Sequence, residues 1–158
     1  MKSSEARQGR AFVIRLEHGD VIHECLERFA AENDVSAATL SIVGAADKGS
    51  RLVVGQTKDE SGRIVPLEKV LTNTHELTGT GTIFPDESGI PMVHIHVTCG
   101  RSNQSVSGCV RMGVKVWNFA EVTLIELLDV HGTRTSELGE GYEALTPQLS
   151  LGTAKARS

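Results

Sequence analysis

Aromatic residues are scarce, at 4% of the chain, so whatever core it builds is aliphatic. Long apolar runs are missing too. No uninterrupted stretch approaches the ~20 residues of a membrane-spanning helix, and the opening MKSSEARQGR lacks the apolar segment of a signal peptide, which points to a cytoplasmic protein with no membrane partner. Positive charge is not in excess: Lys and Arg number 16 against 20 acidic residues, a formal net charge of -4. That balance argues against broad electrostatic capture of nucleic acid, because nonspecific affinity comes largely from cations that neutralise phosphates.

Cysteine is sparse and unpaired by pattern. Cys25, Cys99 and Cys109 are an odd number without CxxC spacing, so neither a disulfide framework nor a zinc ribbon is implied, and reduced thiols are expected. No GxSxG elbow, P-loop or GxGxxG run occurs, which leaves a nucleophilic hydrolase without support and predicts no nucleotide cofactor. Gly79 and Gly81, in LTGTGT, precede no amphipathic helix and fit a close-packed strand or a bulge better than a dinucleotide loop.

What is present reads as one globular domain: 158 residues, 39% hydrophobic and 23% charged. Residues 1–9 form a polar, flexible lead, 10–129 the domain, and 130–158 a tail where hydrophobic periodicity fades, able to dock on a neighbouring subunit. Residues 10–16 alternate as a strand. Asp20 then offers an N-cap, and Val21, Ile22, Cys25, Leu26, Phe29 and Ala30 follow at helical spacing until Asn33-Asp34. Further strands are expected at 37–46, 51–56, 64–71 (an edge, because of Pro66), 72–82, 92–99, 105–110 and 115–128. One principal helix among seven or eight strands does not alternate βα regularly. The predicted fold is therefore α+β, a curved, mainly antiparallel sheet with one packed helix.

The strand at 92–99 carries the most specific local signal. His94 and His96 are separated only by Ile95, so they project from the same face with Cα atoms ~6 to 7 Å apart, close enough to reach one ion. A turn through 100–103 would return the chain so that Cys109 opposes His94 and Ser107 opposes His96. His94, His96 and Cys109 then form a facial N, N, S set suited to zinc or another late first-row transition metal, with an open coordination position. A slip of one residue would turn Cys109 away. The alternative is two histidines on a solvated sheet face. His75, Glu76 and Glu121 are further polar candidates, either glutamate being a possible proton carrier beside a metal, while His18 and His23 are expected to be solvated.

The order FVIRLEHGD, SIVGAAD, HELTGTGTI, PMVHIHVTC, SGCVRMG and FAEVTLIEL resembles the PPC domain, the plants and prokaryotes conserved domain, in its bacterial stand-alone form. The resemblance spans roughly residues 10–128. It implies a homotrimer, DNA binding by family analogy and a metal site built from HxH on one strand and a histidine after a glycine pair on the next. Here His94 and His96 match, whereas Ser107-Gly108-Cys109 departs from that pattern. Cysteine retains a donor while changing charge and softness. Plant relatives carry an AT-hook, an Arg-Gly-Arg-Pro element; none occurs in this sequence, so their DNA-binding role transfers poorly. The leading expectation is a homotrimeric binding or regulatory module; the alternative is a small metal-dependent enzyme with an open His/His/Cys site.

Overall fold

Residues 2–135 and 144–147 are described by a computed structural model. Period-two alternation dominates the chain and builds an eight-stranded sheet, every paired strand of which is antiparallel to its neighbour. The strands are β1 (Arg7–Glu17), β2 (Ala38–Ala46), β3 (Arg51–Lys58), β4 (Ile64–Val70), β5 (His75–Pro85), β6 (Pro91–Arg101), β7 (Gln104–Cys109) and β8 (Val116–Leu128). Their order across the sheet is β1-β8-β2-β5-β6-β7-β3-β4. β4, carrying Pro66, is indeed at an edge, where a missing N–H costs no ladder bond.

Among the described residues there is one α-helix, α1 (Ile22–Glu32), and it covers one face. Ile22, Leu26 and Ala30 recur every four residues and are fully buried, with Cys25 and Phe29 packed beside them. Burying Leu26 alone contributes about 2 kcal/mol. Phe29 meets Phe12 of β1 edge-on at 5.2 Å between ring centroids. The helix begins one residue later than expected: Val21 is the N-cap, and no side chain caps it. Asp20 instead accepts the Glu17 backbone N–H at 2.8 Å, closing the turn before the helix.

A sheet of this extent with one helix buries only one face, and sequence alternation decides which residues lie there. On β6, Val93, Ile95, Val97 and Cys99 are buried toward the helix. His94, His96 and Thr98 must therefore project from the opposite face. Gly79 and Gly81 permit the close pairing of β5 on β6: a Cβ on Gly79 would lie 3.0 Å from the Cα of Val97, and one on Gly81 2.7 Å from the Cα of Ile95. The β5–β6 register is continuous there, so close packing and not a bulge accounts for both glycines.

β1 does contain a bulge, between Gln8 and Ala11, and Glu126 of β8 fills it. The Glu126 carboxylate accepts the Arg10 backbone N–H at 3.1 Å and two guanidinium N–H groups at 2.8 and 2.7 Å. These hydrogen bonds hold the Glu126 pKa down to about 2. A carboxylate with a depressed folded-state pKa stabilises the protein above its ordinary range, and that stability disappears as pH falls from about 4.5 toward 2. Glu126→Gln is accordingly expected to flatten the acid limb of a pH-dependent urea titration; an unchanged limb would show that the pair adds nothing to stability.

Residues following β8 form a second, two-stranded sheet, β9 (Gly132–Thr135) with β10 (Ala144–Pro147). β9 approaches the open face of the large sheet beside Phe84, and Arg134 on it is only 2% exposed. Thus a stretch read from composition as tail contributes a buried side chain to the sheet surface. The rest of that tail lies outside the described residues.

Candidate metal centre

His94 and His96 reach the same side of β6 because Ile95 between them is committed to the core. Their Nε2 atoms lie 3.1 Å apart, with ring centroids at 5.0 Å. The turn that follows is tighter than expected: Arg101 pairs with Gln104 across Ser102-Asn103, with Ser102 in the left-handed region at φ 56°. The register is consequently displaced from the expected one by two residues. Cys109 opposes His96, not His94, and Ser107 opposes Thr98. Since side chains alternate with period two, a two-residue displacement preserves the face, and Cys109 still turns toward the histidines.

The three donor atoms, one from each of His94, His96 and Cys109, all lie within 4.8 Å of one another. Two imidazole nitrogens bound to one tetrahedral ion are roughly 3.3 to 3.4 Å apart at ordinary zinc–nitrogen lengths, so the histidine spacing fits such an ion closely. Cys109 is buried and His94 half-buried, whereas His96 is exposed. The donors thus line the floor of a cleft of about 750 Å³, together with Thr82, Arg111 and Arg134.

Electrostatics keep His94 neutral. Its pKa is lowered to about 4, chiefly by burial and then by the charges of Arg134, His96 and Arg111. Neutral imidazole is the ligating form, so His94 itself need lose no proton to bind a metal at pH 7. Arg134 Nη2 donates to Thr82 Oγ1 at 2.9 Å, while its Nη1 stands 3.5 Å from His94 Nδ1. Thr98 and Ser107 hydroxyls share a 2.7 Å hydrogen bond on the same face.

Other sequence candidates lie elsewhere. His75 and Glu76 line a separate cleft of about 690 Å³ with Arg101 and Trp117, and His75 Nδ1 lies 2.8 Å from the Asn73 carbonyl. Glu121 is exposed on β8, opposite Arg15. Neither glutamate lines the His94/His96 cleft, so neither is placed to carry protons there. His18 is exposed and stacks edge-on against Trp117, but His23 is half-buried, with no hydrogen-bond partner for its Nδ1 among the described residues. Arg111 and Arg134 escaped the sequence reading. Arg111 stands two residues after Cys109 on a short 3₁₀ turn (Val110–Met112), which brings it back over the donor set.

Comparison with known proteins agrees with this architecture. The Plants and Prokaryotes Conserved (PCC) domain matches residues 3–128. A metal-containing protein of Archaeoglobus fulgidus superposes with a TM-score of 0.77 at 24% identity, covering 92% of this chain and 99% of that one. A plant- and prokaryote-conserved (PPC) protein of Pyrococcus horikoshii gives a TM-score of 0.72 at 22% identity, over 96% and 100% of the two chains. A protein of Ralstonia eutropha JMP134, provisionally named as DNA-binding, gives 0.63 at 20% identity, over 85% and 89%. No curated protein matches. Among the described residues, no helix is long and apolar enough to cross a membrane.

Proposed function

The chain belongs to the Plants and Prokaryotes Conserved domain family, and from that premise we propose a self-assembling binding module that holds one transition-metal ion at His94, His96 and Cys109. The observation carrying this reading is the convergence of two imidazoles and a thiol from neighbouring strands within 4.8 Å. Nitrogen and sulfur donors together favour zinc or another late first-row metal. A relative of the same fold is described as metal-containing, which accords with the reading. The module acts in the cytoplasm, where its three free thiols remain reduced.

Assembly uses the open sheet face. Val13 is 88% exposed and Val43 55% exposed on strands whose other face is core, and an apolar surface of this kind is stabilised by covering it. A homotrimer is the expected state, and size-exclusion chromatography with light scattering is expected to give a trimer mass; a monomer would contradict it. DNA binding, the property suggested by the provisional names of two relatives, is the version least favoured by the net charge of -4. A mobility-shift experiment with duplex DNA at low salt tests that version, and failure to bind would remove it.

A second reading, a metal-dependent enzyme, is favoured by the cleft that opens on the donors. Three protein ligands leave a position at which a metal can polarise a carbonyl or acidify water. Among the described residues no carboxylate lines that cleft, so a general base is not at hand and the binding role is preferred. Cobalt substitution tests the ligand set. Wild type is expected to show a near-ultraviolet thiolate-to-cobalt charge-transfer band that vanishes in Cys109→Ser while visible d–d bands persist. A Cys109→Ser spectrum identical to wild type would remove cysteine from the site.

A further inference from the structure

The chain's one tryptophan is not in its core. Trp117 is 38% exposed and Phe119 47% exposed, and both wall the cleft of about 690 Å³ at the end of the sheet where β2 and β6 finish and β5 and β8 begin. A bulge puts them there. Gly44 pairs with Ala120 and Ala46 with Val116, so Trp117, Asn118 and Phe119 all stand opposite Ala45, and Asn118 turns into the left-handed region at φ 60°. Both rings are braced from outside: His18 meets Trp117 edge-on at 5.1 Å between centroids, and the Arg15 guanidinium lies 5.4 Å from the Phe119 centroid.

Beside this aromatic wall, small residues surround one carboxylate. Glu76 on β5 is exposed, and its cross-strand neighbours are Ala45 on β2 and Gly100 on β6. A Cβ on Gly100 would meet nothing within 4 Å, so the space next to Glu76 is open. Arg101 borders the same space, its Nη1 donating to the Thr74 carbonyl at 2.8 Å and approaching Thr74 Oγ1 at 3.3 Å. A guanidinium carries several N–H donors, so an anchor through one nitrogen fixes the group and keeps a fork for an anion.

We infer that this cleft binds a free aromatic amino acid, its ammonium on Glu76, its carboxylate on Arg101 and its ring against Trp117 and Phe119. One charge of each sign beside an aromatic wall complements a zwitterion that carries a ring, whereas a ligand of single charge leaves one of the two side chains unmatched. Trp117 and Phe119 offer a further ring the offset or edge-on contacts that aromatic pairs prefer. The cleft volume falls within the range of small-molecule sites. This site shares no lining residue with the His94/His96/Cys109 cleft and rests on neither the metal nor the assembly reading.

The lone tryptophan supplies the readout. Trp117 emission, excited where phenylalanine does not absorb, is followed as full-length protein is titrated with phenylalanine, alanine, phenethylamine and 3-phenylpropionate, with calorimetry in parallel. Phenylalanine is expected to change the emission saturably and to bind about tenfold or more tightly than each of the others, which lack the ring or one of the charges. Glu76→Gln, a change at an exposed side chain, is expected to weaken phenylalanine about tenfold to a hundredfold and to leave 3-phenylpropionate unchanged, because only phenylalanine brings an ammonium. Arg101→Gln is expected to weaken phenylalanine and 3-phenylpropionate and to spare phenethylamine. Should Arg101→Gln fail to fold, Glu76→Gln alone decides. No saturable phenylalanine binding, binding heat without a change in Trp117 emission, alanine bound as tightly as phenylalanine, or undiminished phenylalanine affinity in Glu76→Gln would each overturn the inference.

Discussion

Gly81→Val is expected to destabilise the protein by about 3 kcal/mol and to weaken zinc binding at the same time. The reason is the tight pairing of β5 on β6. A Cβ at Gly81 would stand 2.7 Å from Ile95 Cα and 2.6 Å from Ile95 Cγ1, and would also meet the His94 carbonyl. Two of those atoms are backbone, which cannot swing aside as the end of a flexible side chain can. β6 must therefore shift, carrying His94 and His96 with it, and a metal site tolerates little displacement of its ligands. Gly100→Ala is the control, since a Cβ there meets nothing within 4 Å, and its effect should stay within about 0.5 kcal/mol. Urea unfolding midpoints check both substitutions. Equal stability of Gly81→Val and wild type would show that the two strands are not as close as described.

The second large effect concerns the metal itself. Removing two of three donors in a His94→Ala, His96→Ala double variant should reduce zinc affinity on the order of a thousandfold or more, because so little of the site remains. Binding to the folded state raises stability by mass action, so zinc at a thousand times its dissociation constant stabilises wild type by roughly 4 kcal/mol. For a chain of this size that corresponds to an increase in Tm of roughly 8 to 16 °C. The increase should be absent from the double variant, whose metal-free melting should stay near that of metal-free wild type, since His94 and His96 lie off the core. A zinc-dependent rise that survives the double substitution would place the ion elsewhere.

Much of this architecture is legible in the sequence because burial and period-two alternation are strong and local. The Ile22, Leu26, Ala30 stripe marks the helix, and Pro66 marks an edge strand. The Val93, Ile95, Val97 alternation forces the two histidines onto one face. Register is harder to read, because a two-residue turn at Ser102-Asn103 and a four-residue turn at 100–103 leave the same residues inside while shifting the pairing by two. The helix start differs by one residue from the pattern because the Asp20 carboxylate accepts the Glu17 N–H and caps the turn, not the helix. Arg111 and Arg134 were invisible for a different reason. A cation on a short 3₁₀ turn, or in a segment of fading periodicity, looks solvated until tertiary structure folds it over a sheet.

The central claim, that His94, His96 and Cys109 hold a metal, is tested most directly by metal content. Untagged protein would be exposed to equimolar zinc, exchanged into metal-free buffer and analysed by elemental mass spectrometry beside the double histidine variant. The account predicts close to one zinc per wild-type chain and almost none in the variant. A wild-type protein that retains no zinc, or a variant that retains as much as wild type, would contradict it.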